Sequence, residues 1–303
     1  MVGAMTHRGP DAAHFWSNGE AALGMRRLSI VDVAGGIQPL RNELGSVQVV
    51  YNGEIYNHAE LRADLVKRGH TVETLSDGAV IPHLYEEYGA ELFSRLNGIF
   101  AVALWDSASR RLLLARDHLG VKPLYVHRRG AEVRFASEIK ALLQDPSIPR
   151  RLDLDALDRH LTYRFTPAPQ TLLEGIEKLE PATVLVCADG STRIERFWRS
   201  DAPLRSGLSF DDAAGVFRDQ LRAAVHRQMM SDRPIGVMLS GGLDSAAIVA
   251  LMAERNTQVK TFTVGFEGGG DAERWRRNSA PVRRVRREAV LTIERYLRSR
   301  ALG

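Results

Sequence analysis

The segment 235–245, Ile-Gly-Val-Met-Leu-Ser-Gly-Gly-Leu-Asp-Ser, holds the residue types in this chain best suited to binding a phosphate. Its apolar run stops at Ser240-Gly241-Gly242 and apolar periodicity resumes over 246–252, which predicts a buried strand, a tight turn and a helix N-terminus. The main-chain N–H groups of such a turn can converge on one anion, and the helix dipole adds partial positive charge. The segment therefore predicts pyrophosphate or nucleotide binding, and with it ATP chemistry.

An ordinary strand-to-helix turn of an α/β domain is the alternative interpretation, and the added Asp244 and Ser245 favour the phosphate site. No lysine follows the glycines, so this is not the Gly-x-x-x-x-Gly-Lys-Ser/Thr loop. The apolar segment 259–266 predicts a second strand, which completes a βαβ unit of a parallel sheet. Because ligands bind at the carboxyl ends of such strands, the turn and Val264-Gly265 are expected on one rim.

The first two hundred residues show a different pattern, in which short strands alternate with turn-rich pieces and a few helices. A hairpin is expected over 183–187 and 192–197, with its turn at Asp189-Gly190. Together these elements predict an α+β domain. The remaining strands are expected at 47–51, 99–105, 111–117, 124–128 and 132–137, and helices at 59–67, 79–88, 138–143 and 154–161.

A linker is expected at 200–203, followed by a capping-box spacing at Ser209 and Asp212 that opens a helix. The apolar face of this helix holds Phe217, Leu221, Ala224 and Val225. With 303 residues, 44% of them hydrophobic, the chain is long enough for two domains of ordinary size.

Composition narrows the class of protein further. The sequence has neither an apolar run long enough to span a bilayer nor a signal peptide at its start, and its single cysteine, Cys187, excludes an internal disulfide framework. A cytoplasmic protein without a membrane partner is therefore expected, with Cys187 as a small buried hydrophobic residue.

The formal charge of +4 comes from the tail, because residues 273–303 contain ten arginines and three glutamates and the preceding 272 residues carry −3. The tail shows little strand pattern and no recognisable nucleic-acid-binding module, so nucleic-acid binding is not predicted. The oligomeric state cannot be read from the sequence.

Several polar motifs in the first domain look ordinary one by one. Asn52-Gly53 is a common turn pair, Arg27 could lie on the surface, and Asp77 could cap a helix. In chain order the motifs are His7-Arg8-Gly9-Pro10-Asp11, Arg27-Leu28-Ser29-Ile30-Val31-Asp32, Tyr51-Asn52-Gly53-Glu54-Ile55-Tyr56-Asn57, Ser76-Asp77, Arg116-Asp117-His118-Leu119-Gly120-Val121-Lys122-Pro123-Leu124-Tyr125 and Ala136-Ser137-Glu138-Ile139-Lys140.

In this order, and followed by Ser-Gly-Gly-Leu-Asp-Ser, these motifs resemble those of the glutamine-hydrolysing asparagine synthetases over about residues 5–271. The resemblance implies a class II glutamine amidotransferase domain of the N-terminal-nucleophile type over 1–200, with layered antiparallel sheets and helices. It also implies the start of an ATP-pyrophosphatase domain with an incomplete parallel α/β sheet over 201–272. The arginine-rich tail, 273–303, is expected to be unrelated to the family.

The resemblance implies a glutamine site in the first domain. Arg27 would pair with the substrate carboxylate, and Ile30 and Val31 would offer main-chain contacts. Glu54 and Asp77 would receive the α-amino group. An oxyanion hole would be formed by Asn52 and the N–H of Gly53.

The same resemblance implies that the amide nitrogen of glutamine is transferred to aspartate through an acyl-adenylate, at the cost of ATP and with Mg²⁺ neutralising the phosphates. Leu239 and Val264 would frame the adenine, with Gly265 beside Val264. Ser240, Gly241, Gly242, Leu243, Asp244 and Ser245 would hold the pyrophosphate. No cluster of metal ligands is predicted among the residues of this chain.

Three departures from the family pattern lead to the expectation of a fragment with impaired activity. No residue matches the family's N-terminal cysteine nucleophile, because the chain opens Met1-Val2-Gly3 and Cys187 lies far along it. The chain is therefore not expected to release glutamate from glutamine. Pro82 falls in the helix after Asp77, next to the unusual Gly78 and Ala79, which leaves the direction of the Asp77 side chain open. From about residue 273 the resemblance ceases.

Two alternatives stay open at this stage. An amidotransferase of the same family could act on another carboxylate acceptor. Alternatively, the chain could be a non-catalytic glutamine- or nucleotide-binding remnant.

Overall fold

The computed structural model describes residues 1–33, 35–201, 207–256, 259–265 and 287–292, with the main chain alone for 264–265 and 287–292. The chain divides into two compact units, Met1–Pro203 and Leu204–Gly303. Within the described ranges, none of the helices combines the length and the apolar character that a membrane crossing needs.

The first unit is built on a six-stranded antiparallel sheet. Its strands are β3 Leu40–Arg41, β4 Val47–Ile55, β5 Gly98–Asp106, β6 Arg111–Arg116, β10 Thr183–Ala188 and β11 Ser191–Arg196. They lie in the order β11-β10-β6-β5-β4-β3, in which the edge strand β3 has only two residues and β4 and β5 are the longest.

Two smaller antiparallel sheets complete the strands of this unit. β1 (Ala12–Ser17) pairs with β2 (Ala22–Arg27), and a three-stranded sheet has the order β8-β7-β9. Its members are β7 (Tyr125–Arg129), β8 (Glu132–Ala136) and β9 (Ile176–Lys178). Three-residue 3₁₀ turns lie at Asp77–Ala79 and Gly89–Glu91, and a longer 3₁₀ helix spans Val2–Arg8. The α-helices are α1 His58–Lys67, α2 Val80–Tyr88, α3 Leu92–Arg95, α4 Ile139–Leu142 and α5 Leu154–Tyr163.

The large sheet is buried on both faces, and the two-residue period of its strands divides the core. One set of buried side chains includes Val49 and Tyr51 of β4 and packs with α2 residues such as Ile81 and Leu84. The other set includes Val50 of β4 and packs against residues of the smaller sheets. The result is a layer of helices, a central sheet and a second layer of strands, which confirms the expected α+β fold of layered antiparallel sheets.

The expected strands from 47 to 137 and the 183–197 hairpin are all present, and β4 and β5 run longer than the pattern indicates. At the hairpin tip Asp189 and Gly190 both have positive φ, of 51° and 70°, as a tight two-residue turn requires. β1, β2, β3 and β9 were not expected. Short strands with polar or half-exposed side chains, such as β1 and β2, carry little apolar alternation.

The second unit begins with α6 (Phe210–Gln228), which Ser209 caps by accepting a hydrogen bond from the N–H of Asp212. β12 (Gly236–Met238), α7 (Leu243–Arg255) and β13 (Lys260–Gly265) form the expected βαβ unit with parallel strands. A further strand, β14 (Arg287–Thr292), pairs with β13 in parallel. The expectation of little strand pattern in the tail is therefore wrong over β14, where three apolar residues adjoin the arginines.

Candidate functional site

A cavity of about 1070 Å³ in the first unit collects the residues for which the sequence predicts glutamine contacts. The alternation along β4 places Asn52 and Glu54 on the same face as Val50, opposite the helical layer. All seven predicted residues line this cavity, although they come from three separate stretches of the chain: Arg27, Ile30, Val31, Asn52, Gly53, Glu54 and Asp77.

Gly53 lies where two strands approach too closely for a side chain. It pairs with Phe100 of β5, and a Cβ built on Gly53 would lie 2.0 Å from the carbonyl oxygen of Ile99 and 2.7 Å from the Cα of Phe100. Both neighbours are main chain, which cannot move aside without disturbing the sheet. The absence of a side chain at Gly53 is therefore a requirement of the β4–β5 pairing, and it keeps the main chain at the cavity wall bare.

Arg27 ends β2 and is 9% exposed. Its Nη2 donates hydrogen bonds to the carbonyl oxygens of Asp32 (2.6 Å) and Val31 (3.2 Å), and its Nη1 donates to that of Val33 (3.3 Å). A guanidinium has five N–H donors, so two of them are left without a partner among the described residues and can donate to an anionic group. A Cβ at Gly36 would lie 2.5 Å from Nη2, so the loop closes tightly around this group.

Asp77 opens the 3₁₀ turn before α2 and is 2% exposed. Its Oδ2 accepts a hydrogen bond from the Ile55 N–H (2.7 Å), and its Oδ1 accepts one from the Tyr51 hydroxyl. Burial, and then the Asp77 carboxylate, raise the pKa of Tyr51 well above its ordinary value, so the phenol stays a donor. The side chain of Asp77 is therefore held by the sheet and makes no cap to the helix that follows.

The unusual residues around Asp77 have structural explanations. A Cβ at Gly78 would lie 2.0 Å from Cε1 of Tyr51, so only glycine lets the phenol ring reach Asp77. The 3₁₀ turn delays the start of α2 to Val80, which leaves Pro82 in the first helical turn. The N–H groups of a first turn have no partner within the helix, so proline costs little there.

Glu54 lies beside Asp77 in the cavity wall, and its Oε2 is buried without a hydrogen-bond partner among the described residues. Burial, and then the negative charge of Asp77, raise the pKa of Glu54 to about 7, against a smaller opposing effect of Lys122. Glu54 and Asp77 are therefore two neighbouring carboxyl groups, and the Oε2 atom of Glu54 has no hydrogen-bond partner among the described residues. Such a pair is suited to binding a cationic group.

Lys122 also lines the cavity, and no role was assigned to it from the sequence. The loop before it is held by the buried Asp117, which accepts hydrogen bonds from the N–H groups of Leu119, Val121 and Lys122. The 116–125 motif thus positions Lys122. A lysine in a turn-rich segment gives no sign of this from sequence alone.

Two of the sequence motifs meet at Glu138. His7 Nε2 lies 2.9 Å and Arg8 Nη1 lies 3.2 Å from Glu138 Oε1, and Lys140 Nζ lies 3.1 Å from Oε2. Although burial opposes it, the hydrogen bonds from His7, Lys140 and Arg8 lower the pKa of Glu138 to about 2. These motifs therefore join the Val2–Arg8 helix to the start of α4.

Cys187 also lines the cavity, on strand β10. Burial raises the pKa of its thiol to about 11, so the thiol is protonated at neutral pH. Because the thiolate is the nucleophilic form, Cys187 is poorly suited to attack a substrate.

In the second unit, the turn after β12 is arranged as the sequence predicts. Gly241 has a φ of 81°, and Gly242 is the N-cap of α7. Ser245 Oγ accepts a hydrogen bond from the Ser240 N–H (3.3 Å), contacts Ser240 Oγ at 3.0 Å and donates to the Gly242 carbonyl oxygen (3.1 Å). Leu239 and the backbone of Val264 and Gly265 lie at the carboxyl ends of β12 and β13. The turn and these strand ends thus share one edge of the sheet.

Comparisons with known proteins match both units. The family model described as "Glutamine amidotransferase domain" matches residues 1–198, and the one described as "Asparagine synthase" matches residues 216–298. The second match extends beyond residue 272, into the tail that was expected to be unrelated to the family. The division into 1–200, 201–272 and 273–303 stays a prediction.

Relatives of known name match most of this chain. Asparagine synthetase [glutamine-hydrolyzing] 3 of Bacillus subtilis is 37% identical in an alignment of 275 positions that covers 88% of this chain and 45% of that protein. The putative asparagine synthetase [glutamine-hydrolyzing] of Mycobacterium tuberculosis is 36% identical in an alignment of 290 positions that covers 89% of this chain and 44% of that one. The chain thus spans about half the length of these relatives.

Among solved structures, a glutamine phosphoribosylpyrophosphate amidotransferase from B. subtilis matches 79% of this chain and 50% of its own, with 20% identity and a TM-score of 0.40.

Proposed function

Because the chain belongs to the glutamine amidotransferase family, and continues into a segment that matches asparagine synthase, we propose that it is a glutamine-dependent asparagine synthetase. Its two units would serve an ATP-dependent transfer of the glutamine amide nitrogen to aspartate. Glutamine, aspartate and ATP are the proposed small-molecule partners.

The observation that carries this proposal is the arrangement of charge in the first unit's cavity. A guanidinium and a pair of carboxyl groups line the same cavity, and they are complementary in charge to the two ends of a free amino acid. Arg27 would bind the carboxylate of glutamine, and Glu54 and Asp77 would bind its ammonium group. Main-chain atoms of Ile30 and Val31 would contact the same end of the substrate.

The other end of glutamine would lie against the bare main chain of β4. Asn52 and the N–H of Gly53 would donate to the oxygen of the side-chain amide, in the positions of an oxyanion hole. Removing one such donor in an oxyanion hole typically costs about 2.7–4 kcal/mol of barrier.

Isothermal calorimetry of the purified chain with L-glutamine tests this proposal. We expect one site per chain, and much weaker binding of D-glutamine, whose ammonium and carboxylate groups cannot both reach their partners. Equal affinity for the two enantiomers, or no heat from either together with no thermal stabilisation, would contradict it.

The affinity for glutamine is expected to rise with pH, with a midpoint near the pKa of Glu54 of about 7. Below the midpoint Glu54 is neutral, whereas above it the carboxylate attracts the ammonium of glutamine, which stays charged over this range. The free energy of unfolding has the opposite dependence on pH. The pKa of Glu54 is about 7 in the folded state and 4.5 in the unfolded state. Stability is therefore lost as the pH rises from 4.5 to about 7.

Calorimetric titrations between pH 5.5 and about 8 measure this dependence. The Glu54→Gln variant should bind weakly and lose the dependence, whereas Glu20→Gln, an exposed carboxylate that also lines the cavity, should keep it. An unchanged pH profile in Glu54→Gln would assign the titration to another group.

The second unit would bind ATP. Ser240, Gly241, Gly242, Leu243, Asp244 and Ser245 would cradle the pyrophosphate at the N-terminus of α7, with Leu239, Val264 and Gly265 at the adenine. The fit is supported by the positive φ of Gly241, by the position of the turn at the N-terminus of α7, and by the hydroxyls of Ser240 and Ser245, which contact each other across the turn. Mg²⁺ would neutralise the phosphates when bound, and Asp244 is the acidic side chain of the turn.

Replacing Ser245 with alanine is expected to weaken ATP binding about fivefold to tenfold. The hydroxyl holds three atoms of the turn, and a hydrogen bond of this kind contributes about 1 kcal/mol. Equilibrium binding of a fluorescent ATP analogue measures the change. Ser231→Ala removes a serine whose Oγ accepts a hydrogen bond from the Arg233 N–H before β12, and it should leave the affinity unchanged. Equal losses in both variants would argue against a phosphate role for the turn.

A further inference from the structure

Two glutamates and two histidines converge beside α2, away from the predicted glutamine contacts. Glu43 comes from the loop between β3 and β4, His70 follows α1, and His83 and Glu86 lie one turn apart on α2. One side-chain oxygen or ring nitrogen from each residue can be chosen so that all four atoms lie within 4.8 Å of one another. Three separate parts of the chain are thereby brought together by groups that bind transition metals well.

Three of the distances between these atoms are close to those in a tetrahedral metal site. His83 Nδ1 lies 3.1 Å from Glu43 Oε2 and 3.7 Å from Glu86 Oε2. His70 Nδ1 lies 3.8 Å from Glu86 Oε2. A tetrahedral cation with bonds of about 2.0–2.1 Å separates its ligand atoms by about 3.3–3.5 Å. Shifts of a few tenths of an ångström would bring these three pairs to that spacing.

His83 gives a second, independent indication of a ligand. The residue is 2% exposed, yet its Nδ1 has no hydrogen-bond partner among the described residues. The contact of 3.1 Å with Glu43 Oε2 is short enough for a hydrogen bond but lacks the geometry of one. A buried ring nitrogen without a partner is costly, and one directed at two carboxylates is well placed to bind a cation.

The histidine that completes the set is oriented from outside. His70 Nε2 lies 3.1 Å from Glu87 Oε1, a carboxylate that is not one of the four ligands. If Nε2 carries the proton of this hydrogen bond, Nδ1 presents its lone pair to Glu43 and Glu86. Carboxylate–histidine pairs of this kind fix the ring of metal-binding histidines in many sites.

The two carboxylates are oriented in the same way. Glu43 Oε1 accepts a hydrogen bond from the Thr71 N–H (2.7 Å), and Glu86 Oε1 accepts one from Asn42 Nδ2 (2.8 Å). Asn42 is 2% exposed, so its amide is itself fixed. Each carboxylate thus keeps its second oxygen, Oε2, directed at His83 Nδ1.

We propose that Glu43, His70, His83 and Glu86 form a structural site for a divalent transition-metal cation, with Zn²⁺ the best match to two imidazoles and two carboxylates. Four protein ligands fill a tetrahedral shell, which is typical of structural sites; catalytic sites keep a position open. The cation would join the β3–β4 loop and the segment after α1 to α2, the helix that follows the turn of Asp77.

Metal binding to the purified, chelator-stripped chain tests this site. Titration with Zn²⁺ against a chromophoric chelator should show one tight site per chain, and Co²⁺ should give the intense visible absorption of tetrahedral coordination. At a free Zn²⁺ concentration of 100 times Kd, the thermal midpoint should rise by about 5–10 °C.

Variants separate the site from adventitious binding. His70→Ala, in which the lost side chain is partly exposed and the core is untouched, should abolish the tetrahedral Co²⁺ signal and weaken Zn²⁺ at least a hundredfold. Glu87→Gln, which removes the partner of His70, should weaken Zn²⁺ about 10- to 100-fold. His14→Ala, on β1, should change neither measurement.

Two results would overturn the proposal. One is wild-type affinity no higher than that of His70→Ala. The other is a tight site whose Co²⁺ spectrum survives both His70→Ala and Glu86→Gln, which would place the metal elsewhere in the chain. Both readouts are independent of glutamine binding, so the proposed function and the metal site can fail separately.

Discussion

Replacing Arg27 with alanine is expected to weaken glutamine binding by about 30- to 1000-fold, while the fold is largely kept. Truncating one partner of a buried, hydrogen-bonded charge pair typically costs about 2–4 kcal/mol in affinity. Arg27 is 9% exposed, and its bonds to the loop leave two N–H groups without a partner among the described residues. Its loss would also release three carbonyl oxygens of the loop that shapes the cavity.

Calorimetry with L-glutamine measures this loss, and thermal unfolding shows whether the fold is kept. Arg27→Lys should recover little, since an ammonium cannot replace a planar fork that also holds the loop. Arg196→Ala is a matched control, because Arg196 also donates to a carbonyl oxygen, that of Pro181, but does not line the cavity. Binding by Arg27→Ala within threefold of the wild type would remove the arginine from the proposed site.

Replacing Gly53 with alanine is expected to destabilise the first unit by about 3 kcal/mol or more. The new methyl group would lie 2.0 Å from the Ile99 carbonyl oxygen and 2.7 Å from the Phe100 Cα, so β4 and β5 would have to separate near the Ile55–Gly98 end of their pairing. Overpacking in a core costs about 1–3 kcal/mol when side chains can adjust, and here the neighbours are main chain.

Urea unfolding monitored by circular dichroism measures this effect, and the yield of folded protein reports it if the variant is too unstable to purify. Gly45→Ala is the control: its φ of 67° disfavours alanine, but nothing lies within 4 Å of the new Cβ. The expected cost at Gly45 is about 1–2 kcal/mol. A Gly53→Ala protein as stable as Gly45→Ala would mean that the two strands tolerate a wider spacing than the structure shows.

The larger elements of the fold could be predicted because each has a local cause. The short apolar strands between turn-rich pieces, the Asp189-Gly190 turn and the Ser209 cap are all readable from neighbouring residues. The β1–β2 hairpin was missed because its side chains are half exposed and its strands pair mainly with each other. Tertiary packing, which the local pattern does not record, decides whether such segments become strands.

The contents of the candidate site were predictable, but its geometry was not. The resemblance named seven candidate glutamine contacts, and their arrival at one cavity depends on the register of β4 against β5 and on the loop after β2. The sequence assigns no role to Tyr51, yet its hydroxyl holds Asp77. The raised pKa of Glu54 arises from burial and a neighbour 23 positions away in the chain, so no local pattern could indicate it.

The four residues of the proposed metal site illustrate the same limit. Only His83 and Glu86 are close in sequence, and Glu43 and His70 come from elements separated from them by helix and loop. No metal ligands were predicted, because no short spacing links the four. Their convergence is a property of the tertiary fold.

The tight loop around Arg27 has a consequence for how such proteins lose function by mutation. A single methyl group at Gly36 would lie 2.5 Å from Nη2 of Arg27, which is at the far end of a long side chain. The fold can accommodate the methyl group by displacing the guanidinium from the cavity. A descendant of this chain could therefore retain every residue of the proposed site, fold normally and still fail to bind the substrate. Inspection of the contact residues alone would then classify an inactive protein as intact.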